Sequence, residues 1–409
     1  MKKIIIIGGG AAGMTAAIFA KEAGADVTLI ERNDRLGKKL LITGKGRCNL
    51  TNNSDINTHI ENTPTNPRFM YTAHNNFTPQ DVMAFFEELG VPLKTERGDR
   101  VFPVSDKAGD VCGALKRRLN RLNVEIITAR VTDVQTDGEG FTVVSDKGSF
   151  TSDAVIIATG GASYPLTGST GDGYRFAKRL GHTVVAPKPS LVPVECAEKW
   201  VKEAMGLSLR NVSLSVKDEN GKEVYFEQGE MLITHFGVSG PLVLSASSHM
   251  KGLGDRKYGL SIDLKPALDF DTLDKRLQTD FSKNINRDFI NSLGELLPTK
   301  LIPVIVRLSG VDGRRKVNSI TREERHGLVS LLKGLPLTAV RFRPIDEAII
   351  TSGGVDVKEI SPKTMESKIV PGLYFAGEVI DVDAYTGGFN LQIAFATARL
   401  AAESAACEW

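Results

Sequence analysis

The sequence predicts an α/β fold in which a doubly wound dinucleotide-binding domain is interrupted by a β-rich insert that carries a helical subdomain. The chain begins with a continuous apolar strand, a glycine-rich turn and a helix at residues 3–23. Short alternating strands and turns dominate residues 191–248, and residues 270–335 have a more polar, helical pattern. Parallel-strand character returns at residues 348–350 and 373–376, which predicts that the first domain resumes there.

Length and composition narrow the class of protein. A chain of 409 residues is long for one hydrophobic core, so we expect two or three domains. The 51 basic and 49 acidic side chains give a net charge of +2 without a basic run, and we therefore expect no nucleic-acid partner. The four cysteines form no CxxC pair, which argues against a redox disulfide or a zinc site. No apolar stretch is long enough to span a membrane, so we expect a cytoplasmic protein.

The first motif, Gly8-x-Gly10-x-x-Gly13, lies between the first strand and the first helix. Gly8 permits a tight turn, Gly10 lets the backbone approach a pyrophosphate, and Gly13 lets the helix and the strand pack closely. The N-terminus of the helix offers free N–H groups to the phosphates. Glu31 ends the next strand, where its carboxylate would accept hydrogen bonds from a ribose and disfavour a 2′-phosphate. The alternative is an ordinary strand–helix turn whose glycines serve geometry alone.

Later segments indicate which dinucleotide is bound. A meander that follows a strand near Val131, and then Thr159-Gly160-Gly161, resembles the arrangement in flavoproteins with two dinucleotide-binding domains. The segment from Gly372 to Glu378 resembles their second FAD motif, in which a carboxylate after glycine binds the ribityl chain. Most such enzymes have Asp where this chain has Glu378, which leaves Asp381 as an alternative partner. The helix that opens at Gly387-Gly388-Phe389-Asn390 would direct its positive end at the flavin.

Further motifs resemble a small group of FAD flavoproteins that includes aminoacetone oxidase-like and bile-acid 3-oxo-Δ4 reductase-like proteins. The motifs are Thr43–Asn52, Glu230–Pro241, Thr351–Val355 and Gly377–Val382. More distantly, the segments Gly168–Gly173 and Thr351–Gly354 are similar to parts of fumarate reductase and succinate dehydrogenase flavoproteins. The resemblance implies a Rossmann-like FAD/NAD(P)-binding domain, a β-barrel-like insert, and redox chemistry on a small or steroid-like substrate.

These observations predict the domains and the residues that bind FAD. The FAD-binding domain comprises residues 1–189 and 341–409, the β-rich insert residues 190–268 with approximately 336–340, and the helical subdomain residues 269–335. We expect FAD to be bound non-covalently. The predicted FAD contacts are Gly8, Gly10, Ala11, Ala12, Gly13, Glu31, Arg32, Lys39, Gly44, Gly46, Arg47, Cys48, Asn49, Val131, Thr159, Gly160, Gly377, Glu378, Asp381, Gly388, Asn390 and Leu391.

Two of these contacts have alternatives. Arg47 and its neighbour Lys45 lie in a glycine-rich loop, where their cations would surround the FAD phosphates or the flavin edge. The alternative is a solvated basic loop. Cys48 could be a redox thiol activated by Arg47, but without a second cysteine nearby in sequence we expect a small buried residue that packs near FAD.

The proton donor is less clearly indicated. His235 would donate a proton to a substrate carbonyl or enone while flavin N5 delivers hydride, and the alternative is a structural histidine. Tyr164 is the second candidate, although Tyr164-Pro165 would also shape a turn. Arg341 and Arg343 would bind a substrate carboxylate, or simply lie on a solvated strand edge.

The expected function is that of an FAD-dependent oxidoreductase that transfers hydride between flavin N5 and a small organic or steroid-like substrate. A reductase supplied by NADH or NADPH is the first version of this hypothesis, and an oxidase that acts on a small amine with O2 is its alternative. An FAD-binding RNA-associated protein and a non-catalytic flavin sensor are the competing classes. We expect a monomer or a homodimer.

Overall fold

The computed structural model describes residues 1–283 and 285–407. Its helices are α1 (Ala11–Glu22), α2 (Lys38–Ile42), α3 (Ile56–Glu61), α4 (Tyr71–Asn76), α5 (Pro79–Glu88), α6 (Ala108–Arg121), α7 (Asp172–Arg179), α8 (Pro241–Ser247), α9 (Phe270–Lys283), α10 (Ile302–Ser309), α11 (Arg322–Lys333) and α12 (Phe389–Ala406). None of the helices in these ranges is both long enough and apolar enough to cross a membrane.

The strands of the described residues fall into five sheets. They are β1 (Lys3–Ile7), β2 (Asp26–Glu31), β3 (Thr51–Asn52), β4 (Leu93–Glu96), β5 (Arg100–Pro103), β6 (Glu125–Thr128), β7 (Val131–Thr136), β8 (Phe141–Ser145), β9 (Gly148–Ser152), β10 (Ala154–Ile157), β11 (Val184–Ser190), β12 (Val194–Cys196), β13 (Ser208–Lys217), β14 (Glu223–Ile233), β15 (Gly237–Ser239), β16 (Tyr258–Asp263), β17 (Leu335–Phe342), β18 (Ile350–Val355) and β19 (Leu373–Phe375).

The chain divides into two compact units. The first contains Met1–Ser190 and the chain from Ile345 onwards, and the second contains Leu191–Pro344. At the centre of the first unit is a parallel sheet with strand order β19-β10-β1-β2-β6. Strand β1 is buried on both faces from Ile4 to Ile7, as its uninterrupted isoleucine run predicts. The predicted Rossmann-like core is confirmed.

Helices α1 and α12 pack closely in the first unit because the side chains between them are small. Helix α1 is rich in alanine, and Ala16 and Ala17 are fully buried. Helix α12 is buried along most of its length, with Ala398 and Ala401 inaccessible to solvent. A side chain at Gly377 would bring a Cβ atom to 2.9 Å from that of Ala12. The start of α1 therefore lies against the C-terminal glycine motif.

Smaller sheets complete the first unit. Strands β7, β8 and β9 form the predicted antiparallel meander, and β3, β5 and β4 form a second small sheet. The prediction of a parallel strand at residues 348–350 is wrong. The chain becomes extended from Ile350, and β18 pairs antiparallel with β11 outside the main sheet. Within β18, Gly353 adopts a φ of +94° against the carbonyl of Ala186, a conformation that a regular buried strand does not require.

The second unit contains the predicted barrel. Six strands close in the order β12-β15-β14-β13-β16-β17. Apolar side chains on alternate positions fill its interior, for example Leu214 and Val216 of β13. Helices α9, α10 and α11 contribute Leu277, Ile305 and Leu328 to the same hydrophobic core. The prediction that residues 269–335 form a helical subdomain of their own stays a prediction.

Candidate functional site

The glycine turn between β1 and α1 has the geometry of a phosphate cradle. Gly8 has a φ of +108°, and a Cβ at Gly13 would lie 1.7 Å from the Gly8 carbonyl oxygen. A Cβ at Gly10 would meet no described atom within 4 Å, so this face of the turn is open. Helix α1 has neither a side-chain cap nor an acidic residue in its first turn. The N–H groups of Ala11 and Ala12 are thus available to an anion.

Glu31 lies at the end of β2 and is held against this turn. It accepts hydrogen bonds from the N–H of Gly9 (2.6 Å) and from the N–H (2.8 Å) and side-chain amide (2.6 Å) of Asn33. The Glu31 carbonyl accepts from the N–H of Ala129 (2.9 Å), which brings the start of β7 at Val131 to the same edge of the sheet. The structure therefore brings together the glycine motif, Glu31 and Val131.

A network of polar side chains connects four separate segments. The Lys39 ammonium on α2 donates to Glu378 Oε2 (2.6 Å) and Ser163 Oγ (2.7 Å). The other oxygen of Glu378 accepts from Ser163 Oγ (3.0 Å) and from the N–H of Thr351 (2.9 Å). A Cβ at Gly161 would lie 2.5 Å from Thr351 Oγ1, so these segments meet without intervening side chains. The predicted contacts Lys39 and Glu378 are thus partners of each other, with both carboxylate oxygens engaged.

The roles of Ser163 and Thr351 were not predicted from the sequence. Thr351 Oγ1 accepts hydrogen bonds from the N–H groups of Ala162 (2.8 Å) and Ser163 (3.1 Å), which fixes the loop after Gly160. Thr351 opens one of the family-like motifs, and Ser163 follows a glycine pair. Those positions mark both residues as candidates, but only the fold shows that they meet at Glu378.

The loop from Thr43 to Asn52 has an unusual backbone. Positive φ angles occur at Gly44, Lys45, Gly46 and Cys48. Cys48 is fully buried, and burial raises the pKa of its thiol to about 12. This favours the predicted small packed residue over a redox thiol, which needs a low pKa.

Arg47 is not a free cation, because it is paired with two carboxylates. Its guanidinium pairs with Glu96 and with Asp106 (2.6 Å) and lies over the Phe102 ring at 4.1 Å. Both carboxylates raise the pKa of Arg47 further above its ordinary value through their hydrogen bonds. The FAD contact of Arg47 stays a prediction, and the ion pairs show that the residue already has a structural role.

The N-terminus of α12 meets the end of this loop. A Cβ at Gly388 would lie 2.2 Å from the Thr51 carbonyl oxygen, so only glycine fits at the helix start. Asn390 uses its side chain to hold the preceding loop: its oxygen accepts from the N–H of Ala384 (2.9 Å), and its amide donates to the carbonyls of Ala384 (2.7 Å) and Tyr385 (3.2 Å). The backbone N–H groups around Leu391 carry no side-chain cap. They form a second positive helix end.

Asp381 lies on the loop that leads to this helix. Its carboxylate is buried and accepts a hydrogen bond from the amide of Asn66 (3.1 Å), which also donates to the Asp381 carbonyl (2.7 Å). Desolvation raises the pKa of Asp381, and the nearby Asp383 and Asp356 carboxylates add to that rise. Asp381 is thus held by Asn66, and its contact with FAD stays a prediction.

The described residues fit FAD. Asn49 Oδ1 and Thr159 Oγ1 are buried without a hydrogen-bond partner among the described residues. Both residues are predicted to contact FAD. A buried polar atom without a partner is costly, so such atoms indicate a missing ligand or water. The open face at Gly10, the two uncapped helix ends and Glu31 provide matching sites for a pyrophosphate, a ribose and an anionic ring.

The candidate proton donors lie in different units. Tyr164 is in the first unit and is half-buried, with a φ of +52°. His235 is in the second unit, is exposed, and packs edge-on against Phe236 with ring centroids 5.0 Å apart. Arg341 and Arg343 both pair with Glu195 at 2.8 Å. Both arginines therefore have a partner on the neighbouring strand β12 of the barrel. The catalytic roles of His235 and Tyr164 stay predictions.

A buried histidine pair near α12 was not identified from the sequence. His59 packs against Phe389, the first residue of α12, with ring centroids 4.9 Å apart, and it contacts the Asn52 carbonyl through Nε2 (2.9 Å). His74 lies 5.4 Å from His59, and both of its nitrogens lack a partner among the described residues. Desolvation lowers the pKa of His59 and lowers that of His74 to about 3. Both rings are therefore neutral in the folded protein at neutral pH.

Because His59 and His74 are buried as neutral rings, we expect acid to lower the free energy of unfolding of the protein. The unfolded chain binds protons at His59 and His74 below about pH 6.5, whereas burial opposes protonation of these two rings in the folded chain, so the free energy of unfolding falls as the pH falls. For His74 alone the loss is about 1.4 kcal/mol per pH unit between the unfolded pKa of 6.5 and the folded value of about 3. Denaturant unfolding of the apoprotein at about pH 7 and about pH 5.5 measures this loss.

The variant His74→Leu isolates the contribution of His74. Because neither nitrogen of His74 has a described partner, the substitution removes no hydrogen bond. We expect the loss of stability between about pH 7 and about pH 5.5 to be smaller in this variant by about 1.3 kcal/mol in total, because the unfolded His74 takes up its proton only below about pH 6.5. An unchanged pH dependence in this variant would show that His74 is not held neutral by burial.

Comparison with known proteins places the chain among flavin-type folds. It matches the family profile described as "HI0933-like protein Rossmann domain" over residues 2–404. A 3-dehydro-bile acid delta(4,6)-reductase of Clostridium scindens is 35% identical over 99% of both chains. Ribosomal RNA dihydrouridine synthases of Escherichia coli and Haemophilus influenzae are 32% and 31% identical, over 98% of this chain and 96% and 97% of theirs.

Solved structures show the same fold at low identity. The 3-ketosteroid-delta4-(5alpha)-dehydrogenase of Rhodococcus jostii RHA1 gives a TM-score of 0.50 at 16% identity, covering 100% of this chain and 97% of its own. The 3-ketosteroid delta1-dehydrogenase of Sterolibacterium denitrificans gives 0.51 at 13% identity, covering 99% and 100%. At such identities the likeness concerns the fold.

Proposed function

Because the chain belongs to the HI0933-like family of FAD-dependent oxidoreductases, we propose that it reduces a carbon–carbon double bond conjugated with a carbonyl group. One observation supports this choice of reaction. The three relatives carry two names, a delta(4,6)-reductase of a 3-dehydro-bile acid and a ribosomal RNA dihydrouridine synthase. Both names describe saturation of a double bond next to a carbonyl. A small or steroid-like enone is the first candidate substrate, with NADH or NADPH as the electron donor.

Bound FAD would supply the hydride from its N5 atom. The residues of the first unit would bind and orient it. The N–H groups at the start of α1 would hold the pyrophosphate, and Glu31 would accept hydrogen bonds from the ribose. The N-terminus of α12 would stabilise negative charge on the ring. Lys39 and Glu378 would keep the surrounding loops in place.

The reaction also requires a proton at the carbon adjacent to the carbonyl. Tyr164 Oη and an imidazole nitrogen of His235 are the predicted donors. Tyr164→Phe and His235→Gln would separate them. The substitution that removes the true donor should lower kcat by about 100-fold or more without changing the reduction of the flavin by the nicotinamide. If neither variant slows turnover, the proton comes from water or from another residue.

The electron donor is tested by anaerobic addition of NADH or NADPH to the flavin-loaded protein. We expect one nucleotide to bleach the oxidised flavin spectrum within the turnover time. The product is tested with 4-androstene-3,17-dione in D2O, where one deuterium from solvent should enter next to the carbonyl. Hydrogen peroxide formation from an amine, with no bleaching by either nucleotide, would replace the reductase by the oxidase alternative.

A uracil ring in ribosomal RNA is the second candidate substrate. Its carbon–carbon double bond is also conjugated with a carbonyl, and two relatives named ribosomal RNA dihydrouridine synthase match almost the whole chain. The near-neutral charge led us to expect no nucleic-acid partner, and these matches weigh against that expectation. Incubation of protein-free ribosomal RNA with the enzyme and NADPH, followed by nucleoside mass analysis, tests this candidate. A lack of new dihydrouridine would exclude RNA as a substrate under these conditions.

A further inference from the structure

We propose that an arginine cluster in the first unit, formed by Arg32, Arg130 and Arg175, is a docking surface for the phosphate backbone of RNA. The proposal rests on the second candidate function, and it adds the surface through which RNA would be held. Arg32 directly follows Glu31 at the end of β2 and is also among the predicted FAD contacts. Arg130 lies between β6 and β7, and Arg175 lies in the first half of α7.

The cluster carries more positive than negative charge. Its three guanidinium groups converge on one carboxylate, that of Asp172. Arg32 Nη1 lies 3.1 Å from Asp172 Oδ2, and Arg175 Nη2 lies 3.1 Å from Oδ1. Arg130 Nη2 is also within 4.0 Å of Oδ1. Two further carboxylates lie at this edge: Asp133 pairs with Arg179, and Asp146 accepts a hydrogen bond from the N–H of Arg130. Four arginines therefore face three carboxylates, and the remaining positive charge attracts anions.

Two of the arginines are held in place before any ligand binds. Arg175 Nη1 donates to the Thr132 carbonyl (2.8 Å), and its guanidinium lies 4.9 Å from the centre of the Phe176 ring. Arg32 donates to Thr170 Oγ1 (2.6 Å). A guanidinium has five donors, so these contacts leave others for a phosphate. Side chains that are already ordered lose less entropy on binding.

The arrangement favours a polyanion over a single phosphate. The side chains of Arg130 and Arg175 are 54% and 40% exposed. Arg179, one turn further along α7, is 53% exposed although it pairs with Asp133, and Arg35, three residues after Arg32, is also exposed. Cations spread over three chain segments can contact several phosphates of one strand. A dinucleotide with one 2′-phosphate would use only part of this surface.

The test compares RNA binding by two variants that lose the same charge. The cluster variant is Arg130→Gln/Arg175→Gln, and the control is Arg287→Gln/Arg314→Gln, whose arginines are exposed in the second unit. Binding of protein-free ribosomal RNA is measured between about 50 and 200 mM salt. We expect the cluster variant to bind at least about tenfold more weakly, with a salt slope smaller by about 2, and the control to bind like the parent. Unchanged flavin content shows that both variants fold.

Other results would overturn the proposal. If the parent makes dihydrouridine and the cluster variant keeps parental affinity and salt dependence, the docking surface is elsewhere and the second candidate function stands. If the parent neither makes dihydrouridine nor binds RNA more tightly than both variants, the surface and the second candidate function both fall. The cluster variant could also bind RNA like the parent and lose, relative to the parent, its rate of reduction by NADPH but not by NADH. In that case the cluster serves the nucleotide instead.

Discussion

Gly10→Ala is expected to fold like the parent and to bind FAD about 100-fold more weakly, a loss of about 3 kcal/mol. Gly10 has a φ of −81° and a ψ of −164°, angles that alanine adopts without strain. The new methyl group would enter open space in the protein itself, since no described atom lies within 4 Å. It would occupy the face of the turn that a pyrophosphate must approach. Only cofactor binding should therefore suffer.

Gly13→Ala is the matched comparison. This residue is helical, so alanine is compatible with its backbone, but the methyl carbon would lie 1.7 Å from the Gly8 carbonyl oxygen. Backbone atoms of β1 or α1 would have to move, at a cost of about 3 kcal/mol or more. We expect a loss of both stability and FAD binding.

Denaturant unfolding of the apoproteins and titration with FAD measure the two effects separately. Normal FAD affinity in Gly10→Ala would mean that the turn is a structural feature alone and does not bind a dinucleotide. Reduced apoprotein stability in the same variant would contradict the open space seen at this position.

Glu378→Gln is expected to destabilise the protein by about 3 kcal/mol, because it leaves the Lys39 ammonium without its carboxylate. The two side chains are 21% and 20% exposed, so water replaces the lost partner only in part. The effect should be smaller when Lys39 is also changed to Met, since the charge that lacks a partner is then removed. We expect a coupling energy of about 1–2 kcal/mol from the double-mutant cycle.

A surface ion pair provides the control for this cycle. Arg307 and Glu203 are 2.9 Å apart with side chains 53% and 48% exposed, and such pairs contribute about 0–1 kcal/mol. Additive effects of Lys39→Met and Glu378→Gln would show that the pair does not connect its segments energetically. FAD affinity measured on the same variants reports whether the network also positions the cofactor.

Much of the fold was predictable because its signals are local. The isoleucine run of β1, the glycines that follow it and Glu31 at the end of β2 lie within one βαβ unit, where spacing along the chain determines spacing in the structure. The barrel was predicted from a resemblance, and the sheet that contains β18 was not. The segment 350–355 is short and contains two glycines, and periodicity does not show whether such a segment pairs with a parallel or an antiparallel neighbour.

The site was predictable in its composition and less so in its contacts. Lys39 and Glu378 were each expected to touch FAD, but their pairing joins residues 339 positions apart. Arg47 was expected near the FAD phosphates or the flavin edge, which stays a prediction, and its pairing with Glu96 and Asp106 was not expected. Neither result has a local signal, because a charged side chain takes whichever partner the fold brings within reach.

The sequence by itself determined the kind of cofactor and the layout of its domain. A glycine that permits close backbone approach is required at a particular place in a motif, whatever surrounds it. Only the tertiary structure decided how the motifs are held together, which histidines are buried and where the arginines gather around Asp172. These features depend on burial and on distances between remote segments, and both are set when the chain packs.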